Sequence, residues 1–444
     1  MATFDAVLRG ALPAPFASRG GDSFDTSLWS ATAIAPQRYE PLRGDAHTQV
    51  AIVGAGYTGL ATAIALADAG IAATVLDAVE PGFGASGRNG GQVIPLVKYD
   101  PDQMIARYGQ ALAEGILQML EASSDSVFAL TERFDIACEA TRAGWIQAAH
   151  NEAAVPGIRG RYEQWQARGA NVAWLDAAQL AKTIGTDRYV GGWIHRGAGT
   201  VQPLSYARGL AQAAVSLGVA VHGASLVTRM TREADGWTLH TAQGRLRADQ
   251  VVLAGNGYTT DLWPGLAQTI VPLYSMQIAT GPLPAALNDE ILPGMQCVSE
   301  TRRVVRYFRK DRAGRFVIGS RGPFTPQPGA AAGQALVDST RKLYPQLKDV
   351  PFEYRWAGRV AVTPDAMPHL HRLAPGVWAA LGCNGRGVAM STLMGRVLAA
   401  ACTGDRSHAP QYPDSDLTRI PFHALHRLGV AAAVTWFRLL DRFA

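Results

Sequence analysis

QVAIVGAGYTGLATAIALADAGIAATVLDA, residues Gln49 to Ala78, is the stretch that decides the fold. Val50 to Val53 and Ala73 to Leu76 are short apolar runs, the pattern of strands buried on both faces. Thr58 to Ala69, rich in alanine and leucine, reads as a helix between them. Strand, helix and strand make one βαβ unit, and its glycines follow Gly54-x-Gly56-x-x-Gly59. Gly54 permits a tight turn, Gly56 lets the backbone approach a pyrophosphate, and Gly59 lets the helix pack on the sheet. The first helical amides then face the phosphates, and Asp77, ending the second strand, accepts from ribose hydroxyls. The unit is built for a dinucleotide, and NAD and FAD both fit it.

Two further loops favour FAD. PGFGASGRNGGQV, Pro81 to Val93, is a second glycine-rich segment, too long and open for a simple strand-to-helix connection. Far downstream, Asn384-Gly385-Arg386-Gly387 opens another helix. The positive end of its dipole suits the pyrimidine edge of a flavin, where negative charge gathers on reduction.

The rest of the chain reads as interruptions of the nucleotide unit. A Pro/Gly/Ser-rich leader (1–45) precedes its first part (46–100), and a run of helical patterns (101–197) follows. The nucleotide unit resumes at 198–261, where a hairpin feeds a buried strand ending in Gly255-Asn256-Gly257. Residues 262–352 alternate strand-like runs with turns, as a sheet covering a substrate does, and 353–405 return to the nucleotide unit. The tail (406–444) carries LGVAAAVTWFRLL, Leu428 to Leu440, an amphipathic helix expected to pack on the protein's own surface, with weak peripheral membrane contact as the alternative. The predicted class is α/β: a discontinuous Rossmann-like domain with an inserted, mostly antiparallel α+β substrate domain.

Composition narrows the functions. With 444 residues, 48% of them hydrophobic, the chain suits two closely packed domains. Its net charge of +5 is spread along the sequence, unlike the basic stripe of a nucleic-acid surface. Cys138, Cys297, Cys383 and Cys402 lack metal-ligand spacing and a histidine cluster, so no metal site and no disulfide framework is signalled, and a cytoplasmic location is expected. No secretory signal and no apolar run of spanning length is read.

Several motifs in order resemble one family: SLWSATA (Ser27 to Ala33), VGAGYTGL, GFGASGRNGGQV, GWIQAAH (Gly144 to His150), VVLAGNGY, WAGRVAVTPDAMPHL (Trp356 to Leu370) and GCNGRGVAM. These resemble the FAD-dependent oxidoreductases of the D-amino-acid oxidase type, particularly the bacterial gamma-glutamylputrescine oxidase branch. The resemblance implies that Gly54, Gly56, Thr58, Gly59, Asp77 and Ala78 bind ADP, with Val227, Ala254 and Gly255 around the adenine side. It implies that Ser86, Gly87, Arg88, Asn89, Gly90, Gly91 and Gln92 pass the ribityl chain and ring. Gly358 falls beside the ring, and Gly385, Arg386, Gly387 and Val388 at its carbonyl edge.

Three departures matter. Relatives that tether the flavin use a cysteine or a histidine where this chain has Gly358 and Gly87-Arg88, so noncovalent FAD is expected; Cys383 lies at a different point. The arginine that clamps an α-carboxylate in amino-acid oxidases falls at Val360, and Arg359 is one residue out of step, which on a strand means the opposite face. Arg306 and Arg309 of the RYFR segment are candidate replacements, with Tyr307 orienting the substrate and Gly385 stabilising the reduced ring. The lysine that assists oxygen in sarcosine-type oxidases falls at Val317, leaving O2 or another acceptor open.

The reading that results is a flavoenzyme oxidising the C–N bond of a primary or secondary amine, polyamine-derived or gamma-glutamylated, to an imine that water hydrolyses. An amino- or imino-acid oxidase or dehydrogenase is the enzymatic alternative. A flavin-binding subunit of a larger dehydrogenase is the alternative of another class.

Overall fold

The computed structural model describes residues 26–322, 329–404 and 412–443; residues 1–25 of the leader, 323–328, 405–411 and 444 lie outside them. The quoted stretch forms the strand Gly44–Val53, the helix Tyr57–Asp68 and the strand Ala73–Leu76. The two strands are parallel, Val50 opposite Ala73 and Val53 opposite Leu76. The first strand starts earlier than the apolar run, because its outer half is a polar extension paired with Gly244–Leu253. The helix between them is buried almost all round, which its alanines and glycine permit by letting neighbours approach closely.

This unit is the middle of a sheet ordered His369–Ala374, Val377–Leu381, Gly244–Leu253, Gly44–Val53, Ala73–Leu76, Ala220–His222. The four central pairings are parallel, and the outermost strand, His369–Ala374, is antiparallel. A hairpin of Arg229–Glu233 and Gly236–His240 joins through Gly244–Leu253. Strands arrive from three separated parts of the chain, so the nucleotide unit is assembled from distant segments.

The second sheet is mostly antiparallel. Its order is Phe352–Val362, Val271–Pro282, Arg315–Arg321, Arg306–Lys310, Cys297–Glu300, Trp145–Ala149, Gly191–His195, Val172–Asp176, with one parallel pair between Cys297–Glu300 and Trp145–Ala149. Residues 353–362 differ from their sequence reading. They belong to this sheet, because Phe352–Val362 pairs along its length with Val271–Pro282, and the chain returns to the nucleotide sheet only at His369.

The C-terminal helix, His426–Phe443, has one partly covered side, with Val430, Ala433, Val434 and Phe437, and one exposed side. None of its described side chains is buried; Leu428 is 70% and Trp436 56% exposed. One hold on the body is Asp441, whose carboxylate accepts from the amides of Arg303 and Val304. Among the described residues no helix is long and apolar enough to cross a membrane.

Candidate active site

The glycine turn is geometrically strict. Gly54 has φ +111°, and a Cβ built at Gly59 would stand 1.9 Å from the Gly54 carbonyl oxygen, a backbone collision no rotamer relieves. At Gly56 a Cβ would meet only the Ser86 hydroxyl, at 3.0 Å. That hydroxyl accepts from the Tyr57 amide at 3.0 Å, so the second glycine loop is latched to the start of the first helix. Asp77 accepts from the amides of Ala55 (2.7 Å) and Val79 (2.9 Å), yet burial raises its pKa to about 6.

A cleft of about 1000 Å³ opens along this turn. Gly54, Gly56, Thr58, Asp77, Ala78, Ser86, Val227, Ala254 and Gly255 all line it. Ser225, Asn256, Tyr258 and Trp263 line it as well. Sequence reasoning left these four out, although GNGY was read as the end of a buried strand; nothing in an isolated tryptophan or serine shows which cleft it closes.

The loop from Ser86 to Gln92 is held from outside by its own carbonyls. Arg88 O accepts from Gln277 Nε2 (2.6 Å) and Trp356 Nε1 (3.0 Å), Asn89 O from Trp29 Nε1 (2.8 Å), and Ser86 O from the Tyr57 hydroxyl (2.7 Å). The Asn89 side chain turns inward, donating to Ala85 O and Ser86 O and accepting from the Gly91 amide. Arg88 lies 4.4 Å over the Phe83 ring and donates to Gly84 O, and Gln92 donates to Val298 O and Phe308 O across to the substrate sheet. Gly87 is buried beneath the loop. Trp29, Gln277 and Trp356 are the functional residues missed; Trp29 and Trp356 sat in motifs already singled out, with no sign of what their indoles would hold.

Opposite this loop stands the substrate sheet. Tyr307 reaches Gly90, where a built Cβ would be 2.9 Å from its ring, and its hydroxyl pairs with Ser275 Oγ. Burial pushes the phenol up to about 12, so it stays protonated at neutral pH. Gln277 Oε1 is buried with no partner, 3.5 Å from the same built Cβ.

The RYFR arginines do not face the site as free cations. Arg309, 2% exposed, gives Nη1 to Val201 O (2.6 Å) and Gly91 O (3.3 Å), and lies over Trp29. It braces the second glycine loop from behind. Arg306 points to the other face of its strand, where two of its nitrogens bind the Glu300 carboxylate and a third binds Ser339. Neither guanidinium is free for a substrate carboxylate, which corrects the candidate clamp. Alternation along the strand explains it: 307 and 309 share one face, 306 the other.

Val360 faces the Gly385 loop, its Cγ1 4.0 Å from a built Cβ there. Arg359 turns away, hydrogen-bonding the Tyr274 hydroxyl at 2.9 Å and lying over Tyr258. Gly358 abuts Arg88, whose Cβ stands 2.8 Å from a built Cβ. Val317 is buried among Trp29, Phe83, Ala279 and Trp356.

The third loop is equally braced. Asn384 and Gly385 take φ +50° and +83° in succession, turning the chain into the helix Gly387–Thr403. Asn384 donates to Gly382 O and accepts from the Thr363 amide, while Asn256 accepts from the Gly382 amide. Gly385 is exposed. Arg386, Gly387 and Val388 begin the helix, whose first amides carry its positive dipole end. Cys383 sits beneath Gly387 and touches Asn256 Nδ2.

Together these features fit FAD: a turn only glycine can make, a cleft ending on an acid, a second loop with orphaned Gln277 Oε1 beside it, and a helix start open to the site. Among the described residues no cluster of metal-ligating side chains occurs.

Comparison with known proteins agrees. The family model described as FAD dependent oxidoreductase matches residues 49–401. Gamma-glutamylputrescine oxidoreductase of Escherichia coli (strain K12) is 30% identical over 90% of this chain and 96% of its own. The probable oxidoreductase OrdL of Haemophilus influenzae is 30% identical over 91% and 95%. Among solved structures, glycine oxidase from Geobacillus kaustophilus superposes with a TM-score of 0.71 at 22% identity, covering 84% of this chain and 99% of that one. L-proline dehydrogenase from P. horikoshii gives 0.69 at 18% identity, covering 83% and 96%. The chain therefore belongs to the DAO family of FAD-dependent oxidoreductases, enzymes that act on amines and amino acids.

Proposed function

We propose that the protein oxidises the C–N bond of an amine carrying no carboxylate on the reacting carbon, with FAD held noncovalently. The observation that carries this reading is Val360 facing the Gly385 loop while Arg359, Arg306 and Arg309 are all engaged elsewhere. An α-carboxylate entering there meets an aliphatic side chain, and an uncompensated buried charge is strongly disfavoured. The similarity to gamma-glutamylputrescine oxidoreductase supports the same substrate class.

When bound, FAD supplies the two-electron acceptor for hydride from the amine carbon. The chain's own residues do the rest. The glycine turn and Asp77 hold the nucleotide end, and the carbonyl-braced loop from Ser86 to Gln92 fixes the reactive end. The amides at Gly387 and Val388 stabilise negative charge at the loop they open. Tyr307, a neutral phenol fixed by Ser275, orients the amine. The amine must be uncharged to release hydride, and an apolar, desolvating surround lowers its pKa. Gly358 supports noncovalent binding, since a cysteine there would drive its Cβ into Arg88.

A screen of amines and amino acids, scored for peroxide and for dye reduction side by side, tests the reading. Turnover confined to amines supports it; turnover confined to α-amino acids overturns it. The exposed face of the C-terminal helix favours a second reading, a flavin subunit docking through Leu428 and Trp436 onto a larger dehydrogenase. Turnover by the isolated chain, monomeric on gel filtration, removes it.

A further inference from the structure

Among the described residues five large apolar side chains are exposed, and four of them, Phe422, Leu425, Leu428 and Trp436, lie in one short segment. A surface helix is ordinarily polar on its outer side. The helix His426–Phe443 is apolar on both sides. Val430, Ala433, Val434 and Phe437 are partly covered, while Leu428, Gly429, Ala432, Thr435 and Trp436 are exposed. At about 100° per residue, Leu428, Ala432 and Trp436 fall within about 80° of one another, so they form one stripe. The single hydroxyl beside that stripe, on Thr435, is spent within the helix on Ala431 O (2.9 Å).

The segment is pinned at both ends, which makes the stripe a fixed part of the surface. At its start the Ile420 amide donates to Gln268 O, and the His423 ring donates Nε2–H to Ile270 O (2.8 Å). At its far end the Asp441 carboxylate takes the amides of Arg303 and Val304 and lies 3.5 Å from the Arg303 guanidinium. Between Phe422 and Phe443 the sequence carries three arginines, Arg427, Arg438 and Arg442, and one acid, Asp441. That acid is turned inward. Arg427 is exposed, about 100° round the helix from Leu428, at the edge of the stripe.

We propose that this face seats on the anionic surface of a phospholipid bilayer, the helix lying in the plane of the interface. Apolar side chains with an aromatic ring on one face and arginine at its edge are the pattern of an interfacial helix. Two observations favour lipid over protein. The helix is roughly 27 Å long and 10 Å across, so the face offers roughly 300 Å², well short of the about 800 Å² per partner of a stable protein interface. A second copy would also bring arginine against arginine, whereas negative headgroups attract them. The stripe offers no free hydrogen-bonding group for a protein rim, and acyl chains ask for none. The proposal is independent of which amine is oxidised, and its failure leaves that reading where it stands.

The test is co-sedimentation of the flavin-loaded full chain with vesicles of phosphatidylcholine alone and of a phosphatidylcholine–phosphatidylglycerol mixture. Saturable binding to the mixed vesicles, weaker on phosphatidylcholine alone and weakened by added salt, is the expected result. Leu428→Asp should reduce the affinity more than tenfold. Arg427→Gln should reduce it about fivefold, and Arg427→Lys should restore most of it. Because both side chains are exposed, flavin content and melting temperature should stay at the wild-type values. Trp436 reports directly: its emission should shift to the blue on mixed vesicles, and Trp436→Phe should bind while losing that shift. Absent binding to the mixed vesicles, or equal binding by wild type and Leu428→Asp, overturns the proposal. A dimer in analytical ultracentrifugation that Leu428→Asp dissolves gives the face to a second copy and overturns it as well.

Discussion

Alanine substitutions at Gly59 and Gly56 separate the folding role of the fingerprint from its binding role. At Gly59 the new methyl stands 1.9 Å from the Gly54 carbonyl oxygen, and the Ile52 side chain is also close, at 3.1 Å. Ile52 belongs to the strand and Gly54 to the turn that follows it, so the helix must move away from both. Overpacking costs about 1–3 kcal/mol and sometimes more, and a backbone obstacle places this case at or above the upper end. At Gly56 the methyl meets only the rotatable Ser86 hydroxyl at 3.0 Å. Turning that hydroxyl aside releases the Tyr57 amide, a loss of about 0.5–1.5 kcal/mol. The same methyl projects where the backbone must approach a pyrophosphate, so FAD affinity should fall about ten- to a hundredfold. Thermal unfolding of the flavin-free proteins and FAD titration by fluorescence quenching read the two effects separately. Gly59→Ala should melt well below wild type, and Gly56→Ala close to it but with weak FAD binding. A Gly59→Ala protein as stable as wild type would refute the closed turn, and full FAD affinity in Gly56→Ala would refute the pyrophosphate assignment.

Other outcomes follow from the same geometry. Acid precipitation should leave all the yellow colour in the supernatant, and flavin in the pellet contradicts noncovalent binding. Asp77, raised to about 6 in the folded apoprotein, keeps a proton that the unfolded chain releases near pH 4. Apoprotein stability should therefore fall as pH rises from about 4 to about 6, by the order of 3 kcal/mol, and Asp77→Asn should flatten that slope in pH-dependent denaturation; an unchanged slope refutes the assignment. Ribose donors favour the ionised carboxylate, so FAD should bind more tightly as pH rises through 6. Arg309→Met strands the carbonyl of Val201, while Gly91 O keeps the Val201 amide, and should destabilise the fold by about 1–3 kcal/mol without changing the ratio of carboxylated to neutral substrate turnover; a changed ratio restores Arg309 as a clamp. Val317→Lys puts an ammonium among Trp29, Phe83 and Trp356. It should lower the melting temperature and, in stopped-flow reoxidation, quicken reaction with oxygen; no gain means another cation serves that role.

What was legible in the sequence was whatever has a local cause. The fingerprint was readable because Gly54, Gly59 and Asp77 act within one βαβ unit, and the turn at Asn384-Gly385 because consecutive left-handed residues need that chemistry. Side-chain direction on a distant strand was not. The RYFR segment offered three polar residues at once; alternation separates Arg306 from Tyr307 and Arg309, but only the tertiary partners show that Arg309 is spent on Val201 and Gly91 and Arg306 on Glu300. The Trp29, Gln277 and Trp356 donors meet the second glycine loop from positions 60 to 268 residues away, which no local pattern records. The end of the substrate sheet was misplaced for a related reason: the apolar residues of Phe352–Val362 suit a strand of either sheet, and only its partner decides which.

The central claim, an amine without an α-carboxylate as hydride donor, is tested most directly by anaerobic stopped-flow reduction of the bound flavin. An amine and its α-carboxylated analogue are mixed separately with the enzyme and the loss of visible flavin absorbance is followed. The account predicts saturable bleaching by the amine, with a reduction rate constant over Kd at least about tenfold above that of the amino acid. Faster bleaching by the amino acid, or none by any amine, contradicts it.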